Sequence, residues 1–240
     1  MNANKAIRAA ALDWIAANEA RLSRFNEGIW AHAEPAWREY KSCRDYVELL
    51  RAEGFTVEVG SGDMPTAFAA EWGEGAPVLA SFSEYDAVPG NSQQVVPYQA
   101  PRAGLHPYTA GHTDPHSVLG TAALAAMLGA KAAMQQHGVK GKLKLFGEPA
   151  EKVCGSKPIH AAKGYYDGLD AAVVWHPWPS NTVTGETHFG AYWSVIISFE
   201  ADQPENWIDP TLMPIEGAHA AARCPGAVDA LCLMYTTTKY

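Results

Sequence analysis

The sequence Gly111-His112-Thr113-Asp114-Pro115-His116-Ser117-Val118-Leu119-Gly120 leads directly into the alanine-rich run 121–133. The apolar character of this run predicts a buried helix, and a loop just before a helix can direct several side chains to one point. Two imidazoles and one carboxylate lie within five positions, and both ligand types suit a divalent ion such as zinc or manganese. The alternative is a tight turn in which His112 and His116 only form hydrogen bonds while Asp114 caps the helix. The loop alone does not separate these interpretations.

The composition predicts a globular chain with no nucleic-acid or membrane partner. The 240 residues are 48% hydrophobic and carry a formal net charge of -8, whereas nucleic-acid binding would require clustered Lys and Arg side chains. The four cysteines lack CxxC spacing and favour a reducing compartment. No apolar run approaches the roughly 20 residues that span a bilayer. We therefore expect a soluble, cytoplasmic protein.

Helical and strand-like segments alternate along the chain, which predicts an α/β sandwich. Helices are predicted where apolar residues recur at helical spacing or where the sequence is rich in alanine, which is the case over 5–29, 42–53, 121–133 and 158–163. Short apolar runs between glycine and proline indicate strands at 55–59, 67–72, 77–82, 141–146 and 169–175. The intervening segment 91–110 has no periodicity and is predicted to be a long active-site loop.

Polar side chains follow three of these predicted strands. Glu84 and Asp86 come after the strand at 77–82, Glu151 follows the next, and His176 ends the last. Ligands in open α/β sheets gather at the carboxyl edges of strands, so a functional interpretation competes here with a solvated turn. A metal hydrolase also needs a general base, usually a glutamate, and Glu151 could fill that role. The alternative is a surface glutamate in a weak ion pair with a neighbouring lysine.

Four motifs, taken in order, resemble the M20 metallopeptidase and amidohydrolase family. They are Asp86-Ala87-Val88-Pro89, the histidine-rich loop, Pro149-Ala150-Glu151 and His176-Pro177. The most similar branch holds aminobenzoyl-glutamate hydrolase and the aminoacylase-type amidohydrolases, and the stretch 32–39 resembles the N-terminal signature of that branch. The likeness covers the chain from about Ile29 to Ala230.

This resemblance implies a fold and two domains. The fold would be a zinc-peptidase-like three-layer α/β sandwich with a mixed, mostly parallel sheet, joined to part of a smaller α+β lid domain. Residues 1–185 would form the N-terminal part of the catalytic domain, and residues 186–240 the partial lid or dimerisation domain. The chain would therefore form a homo-oligomer through the lid.

The resemblance also implies the roles of individual residues. Asp114, His116 and His176 match metal ligands for one or two divalent ions, manganese or zinc. Glu151 matches the glutamate that takes a proton from the attacking water and passes it to the leaving nitrogen. Further ligands, or residues that support the ligands, would be His112, Glu148, Glu84 and Asp86.

Lys152 departs from the family pattern, because the branch has a second glutamate at that position as a metal ligand. An ammonium beside a divalent cation would be repelled, so we expect Lys152 to point away and one of the two metal sites to be lost or rebuilt. Glu148 stands where the branch has a small polar residue and could supply the missing carboxylate.

Substrate contacts are predicted at His219 and at aromatic residues near the site. The counterpart of His219 reaches toward substrate in the family, often across a dimer interface; the alternative is a polar residue at a helix start. Tyr85, with Tyr98, Trp175 and Trp178, could stack on an aromatic ring or could equally be core. The family's remaining lid and its last metal-ligand histidine do not follow, so we expect a fragment, a truncated product or a portion supplied by another chain.

Three functions are consistent with these residues. The first is metal-dependent hydrolysis of an amide C–N bond in a small N-acyl or aromatic amino-acid-type substrate. The second is hydrolytic deamination of an aromatic amine such as a substituted anthranilate. The third is a catalytically impaired subunit that binds metal or ligand without turnover.

Overall fold

The computed structural model describes residues 3–106, 108–177, 180, 182, 195–200 and 227–239. The helices in this part of the chain are α1 (Ala3–Ala17), α2 (Glu19–His32), α3 (Tyr40–Ala52), α4 (His116–His137), α5 (Ser156–Ala162) and α6 (Ala227–Thr238). The strands there are β1 (Thr56–Val59), β2 (Phe68–Glu74), β3 (Val78–Glu84), β4 (Gly141–Glu148) and β5 (Ala171–Ala172).

The chain divides into two compact units, Met1–Thr182 and Val183–Tyr240. The first unit contains α1 to α5 and the whole described sheet. In the second, residues 195–200 have no regular structure and α6 is the described helix. The predicted boundary at residue 185 lies outside the described residues, and the assignment of the second unit as a lid stays a prediction.

The sheet has the order β1-β2-β4-β3-β5. β2 is antiparallel to both of its neighbours, whereas β3 is parallel to β4 and β5. Four of the five described strands therefore point in one direction, which confirms the mixed, mostly parallel sheet. The register pairs Glu84 at the end of β3 with Glu148 at the end of β4, so these strand ends meet at one edge.

The main core lies between the sheet and the helices α2, α3 and α4. Its aromatic centre is Tyr46, Phe68 and Tyr85, all fully buried, and the ring centroid of Tyr46 lies 5.7 Å from that of Phe68 and 5.3 Å from that of Tyr85. On the opposite face of the sheet, Phe82 and Phe146 make edge contacts with Tyr166, at centroid distances of 5.3 and 5.2 Å. Side chains therefore cover both faces of the central strands.

Helix α4 is brought very close to β3 because Gly120 has no side chain. A Cβ at this position would lie 2.4 Å from the backbone oxygen of Glu84 and 2.4 Å from the Tyr46 hydroxyl. The Ser83 hydroxyl also donates to the Gly120 carbonyl oxygen, at 3.1 Å. These contacts place the first turn of α4 beside the end of β3.

Two predicted elements differ from the structure. The helix expected over 5–29 is interrupted at Asn18, whose side-chain amide donates to the Trp14 carbonyl at 2.8 Å; such local hydrogen bonds compete with a continuous helix. The strand expected over 169–175 is only two residues long, since β5 pairs with β3 alone and the following Val173, Val174 and Trp175 are exposed.

The expectation about membrane-spanning length also needs correction. Among the described helices, α4 alone is long and apolar enough to cross a bilayer, by length and composition only. The sequence-based statement that no apolar run approaches that length is therefore wrong. Leu119, Leu124 and Leu128 of this helix are buried in the core, as in a central helix of an α/β domain.

Candidate metal-binding active site

His116 is the centre of the candidate site. It lies in the first turn of α4, its side chain is 1% exposed, and its Nδ1 lies 2.7 Å from Oδ1 of the buried Asp86. A carboxylate accepts hydrogen bonds, so Nδ1 carries the proton and its N–H donates a hydrogen bond to Asp86. The lone pair of Nε2 is thereby directed to the other side of the ring, as in carboxylate–histidine pairs that bind metal ions.

Three carboxylates surround His116 Nε2. The distances from this atom are 3.3 Å to Glu84 Oε2, 3.4 Å to Glu151 Oε2 and 3.9 Å to Asp114 Oδ2. His176 Nε2 lies 3.8 Å from the other oxygen of Asp114. The sheet edge therefore gathers residues that are far apart in the sequence.

Two groups of these side chains have ligand atoms within 4.8 Å of one another: Asp114, His116 and His176, and Glu84, His116 and Glu151. Both groups use His116, whose Nδ1 is occupied by Asp86. Because Nε2 has one lone pair, it can bind one ion, and the two groups are alternatives at this atom. The first group is the ligand set that the sequence predicts.

The side chains of Asp114, Glu151 and His176 are partly open to solvent, with exposed fractions of 45%, 37% and 52%. His116 and Glu84 are buried beneath them. The cluster is therefore open on its solvent side, where Glu151 is accessible.

Glu151 is positioned by a buried carboxylate that the sequence analysis did not single out. Glu39 is fully buried; it accepts hydrogen bonds from the Ala150 backbone at 2.7 Å and from the Thr66 hydroxyl at 3.0 Å. Burial raises the pKa of Glu39. Ala150 has a φ of 57°, a left-handed conformation that turns the chain out of β4 just before Glu151. Glu39 belongs to the stretch 32–39 that carried part of the family resemblance, which was the available signal.

Lys152 does not point away from the cluster, contrary to the prediction. Its ammonium contacts Asp114 Oδ2 and lies 2.9 Å from His116 Nε2, and its backbone N–H donates to Asp86 Oδ2 at 2.9 Å. Burial raises the pKa of Asp114, but the hydrogen bond and charge of Lys152 outweigh this effect and hold that pKa below its usual value. The prediction was wrong because it considered repulsion by an ion and omitted attraction to the carboxylates.

Lys157 is a second ammonium at the cluster, and the sequence analysis missed it. Its Nζ contacts Glu84 Oε1 from the first turn of α5. A lone lysine near a helix start carries no recognisable signal in a sequence, because its partner Glu84 is 73 residues away.

Glu148 and His112 lie outside both metal-binding groups. Glu148 is fully buried. Its Oε1 accepts a hydrogen bond from the Tyr166 hydroxyl at 2.5 Å and lies 2.8 Å from His160 Nδ1. These contacts give no support to the idea that it replaces the missing ligand. His112 is also buried, and burial lowers its pKa to about 4.

The residues predicted to contact substrate differ from one another in their exposure. Tyr85 is fully buried and donates its hydroxyl hydrogen to the Thr66 carbonyl at 2.6 Å. It is therefore a core residue that a substrate cannot reach, and the prediction of a substrate contact is wrong. Tyr98 and Trp175 are exposed. His219 and Trp178 lie outside the described residues.

Comparison with known proteins gives related hydrolases, although no family model matches the chain. Over 165 residues the chain is 37% identical to one of the subunits of the p-aminobenzoyl-glutamate hydrolase of Escherichia coli; this covers 69% of the chain and 34% of the relative. It is 27% identical to the mouse (Mus musculus) Xaa-Arg dipeptidase over 174 residues, covering 67% of the chain and 36% of that protein.

The same fold occurs in solved structures. The YxeP protein of Bacillus subtilis, described as a dinuclear metal-binding peptidase of the M20 family, has a TM-score of 0.56 at 21% identity, over 68% of the chain and 44% of that protein. A putative aminohydrolase from Staphylococcus aureus has a TM-score of 0.56 at 20% identity, over 68% and 41%.

The chain resembles the M20 metallopeptidases in its motifs and in its fold. The sequence relatives and the shared fold together confirm the resemblance found in the four motifs. The chain spans about a third of the length of the curated relatives it matches.

The donor set of this chain fits a divalent ion in its chemistry. Imidazole nitrogen and carboxylate oxygen are the ligands that zinc and manganese accept, and Asp86 orients His116 as a ligand histidine. The contacts of Lys152 show that the same ligand atoms already have a cationic partner.

Proposed function

We propose that the chain is the metal-binding part of a hydrolase that cleaves an amide C–N bond in a small N-acyl or aromatic amino-acid-type substrate. The observation that carries the proposal is the position of Glu151, whose Oε2 lies 3.4 Å from His116 Nε2 in a cluster open to solvent. One curated relative is named for hydrolysis of p-aminobenzoyl-glutamate and the other as a dipeptidase. Both names describe cleavage of small amide-linked molecules.

Each residue of the cluster has a definite task in this proposal. His116 would hold the ion together with Asp114 and His176, a group that leaves the Glu151 carboxylate free for proton transfer, and Asp86 keeps the His116 ring in the required tautomer. When bound, a divalent ion such as manganese or zinc polarises the substrate carbonyl and lowers the pKa of water.

Glu151 supplies the proton transfers. Its carboxylate accepts a proton from the attacking water, and the resulting carboxylic acid donates that proton to the nitrogen that leaves. The carboxylate is held at the cluster by the turn at Ala150, and its exposure leaves room for the substrate.

We also propose a cytoplasmic protein that assembles as an oligomer. The scattered cysteines support a reducing compartment. The name of the Escherichia coli relative describes one subunit of an enzyme, which supports an assembly of more than one chain.

The experiment compares the 240-residue chain with E151Q and with E48Q, which changes a glutamate whose side chain is 70% exposed. Each protein is incubated with manganese or zinc and with p-aminobenzoyl-glutamate or N-acyl amino acids, and the release of free amine is measured. We expect E151Q to be slower by about 10²- to 10⁴-fold and E48Q to match the unsubstituted chain. Equal rates for E151Q and the unsubstituted chain would remove Glu151 as the base.

Lys152 favours a second candidate function, a catalytically impaired chain that binds metal or ligand without turnover. An ammonium on the ligand atoms would weaken the activation of water. Absence of turnover in the unsubstituted chain, with metal binding intact, would support this candidate over hydrolysis. Release of ammonia from an anthranilate, without an acid co-product, would instead identify a deaminase.

A further inference from the structure

We propose that the Lys152 ammonium acts as a built-in cation, so that Lys152 and a divalent ion exclude one another at Asp114 and His116. The inference rests on the metal-binding part of the proposed function and is independent of turnover. It identifies Lys152 as a residue that controls how tightly, and with how many ions, the cluster binds metal.

Two anchors hold Lys152 at the cluster. Its Nζ contacts Asp114 Oδ2 and lies 2.9 Å from His116 Nε2, while its backbone N–H donates to Asp86 Oδ2 at 2.9 Å. The side chain is only 15% exposed. The ammonium is therefore part of the packed site and differs from a solvated surface lysine.

Competition follows from the geometry of a single nitrogen lone pair. His116 Nδ1 donates to Asp86, so Nε2 is the only ring nitrogen that can accept a hydrogen bond or bind an ion. A zinc ion binds imidazole nitrogen at about 2.0–2.1 Å, and it would occupy the space in which the ammonium now lies. The two positive charges would also repel one another at this separation.

The charges of the cluster support the same conclusion. Four carboxylates, those of Glu84, Asp86, Asp114 and Glu151, lie around His116. Lys152 pairs with Asp114, and Lys157 pairs with Glu84. The two ammoniums together carry the charge of one divalent ion, so the cluster keeps a counter-charge even without metal.

Lys157 provides a matched control, because K157M removes the same charge from the same cluster. Lys157 contacts Glu84, and the structure records no contact between its ammonium and His116. If Lys152 acts only through its charge, K152M and K157M will change metal affinity equally. If it acts by occupying Nε2 and Asp114, K152M will have the larger effect.

The experiment measures binding of Mn²⁺ and Zn²⁺ to the 240-residue chain by titration calorimetry, with elemental analysis for the number of ions. An ion can bind only when Lys152 has withdrawn, and a withdrawn state populated at a few per cent lowers apparent affinity by about ten- to a hundredfold. We expect K152M to bind more tightly by that factor, and K157M to change by less than about threefold. K152E, which adds a carboxylate, is expected to bind more ions per chain than the unsubstituted protein.

A thermal readout separates occupancy from loss of folding. Without metal, K152M is expected to melt at a lower temperature, because carboxylates lose their counter-ion; with metal, its melting temperature is expected to rise more than that of the unsubstituted chain. K152Q keeps a hydrogen-bond donor without the charge and serves if K152M does not fold.

Equal affinities for the unsubstituted chain and K152M would overturn the inference, as would equal tightening by K152M and K157M or absence of binding in every variant. Failure of the proposed hydrolysis is a different result, since it is measured by comparing turnover of E151Q with that of the unsubstituted chain.

Discussion

Replacing Asp86 by Asn changes one atom of the support beneath His116. Asp86 is fully buried; its Oδ1 accepts from His116 Nδ1 at 2.7 Å, and its Oδ2 accepts from the Lys152 backbone N–H at 2.9 Å. An asparagine has one acceptor oxygen, so its NH₂ group must face one of these two donors. One buried donor then loses its partner, and the histidine or the Lys152 backbone must shift.

The expected cost follows from the burial of this pair. A hydrogen bond to a charged group contributes about 1.5–3 kcal/mol, and a buried donor without a partner costs about 1–3 kcal/mol, so we expect D86N to lower the free energy of unfolding by about 2–3 kcal/mol. Loss of the carboxylate behind a ligand histidine lowers metal affinity by about 10- to 100-fold.

Asp45 provides the control. It lies 2.7 Å from His32 Nε2, the same distance as in the Asp86 pair, but its side chain is 28% exposed. D45N should therefore cost about 1 kcal/mol or less. Urea unfolding, with the slope against urea checked for equality among variants, gives the stabilities, and Mn²⁺ titration gives the affinities. The reasoning is refuted if D86N unfolds at the same urea concentration as D45N, or binds Mn²⁺ as tightly as the unsubstituted chain.

Further predictions concern acid stability and packing. Burial lowers the pKa of His112 from 6.5 to about 4, so between these pH values the unfolded chain binds a proton at this residue and the folded chain does not. The free energy of unfolding should therefore fall by roughly 3 kcal/mol as the pH falls from 6.5 to 4. In a plot of the urea midpoint against pH, H112Q should reduce the slope over this range. A Cβ on Gly147 would lie 2.2 Å from the buried ring of Phe68, so G147A should destabilise the fold by about 1–3 kcal/mol or more in thermal unfolding. Its control is G28A within α2, where a Cβ meets nothing within 4 Å. Helix propensity predicts that G28A raises the free energy of unfolding by about 0.5–1 kcal/mol. A G147A chain as stable as G28A would contradict the packing argument.

The sequence predicted the regular elements where the apolar pattern was strong. α3 lies where helical periodicity placed it, and α4, β3 and β4 lie where their apolar runs placed them, because elements buried in the core need apolar side chains. The predictions of a continuous helix over 5–29 and of a strand over 169–175 were wrong. The helix is interrupted by a side-chain hydrogen bond at Asn18, and β5 pairs with one neighbouring strand; a hydropathy pattern contains neither detail.

The residue types and the order of the family motifs predict Asp114, His116 and His176 as ligands. Asp114 and His116 stand at the start of α4 and His176 follows β5, and in the structure one ligand atom from each of the three lies within 4.8 Å of the others. The contribution of Tyr85 could not be settled in this way, because an aromatic residue one position past a strand can face either the core or the solvent. Its burial depends on packing against Tyr46 and Phe68.

The sequence by itself determined which chemical groups are available to the site: imidazoles and carboxylates of the kind that bind a divalent ion, and a lysine where the family has a carboxylate. Only the tertiary structure decided where that lysine goes. Lys152 meets Asp114 and His116 across 38 and 36 residues of chain, and the direction of its ammonium depends on the balance of attraction and repulsion among charges that are close only in the folded molecule. The residue types give the identity of the charges. Because Coulomb interactions depend on distance in space, only the fold decides which charges interact.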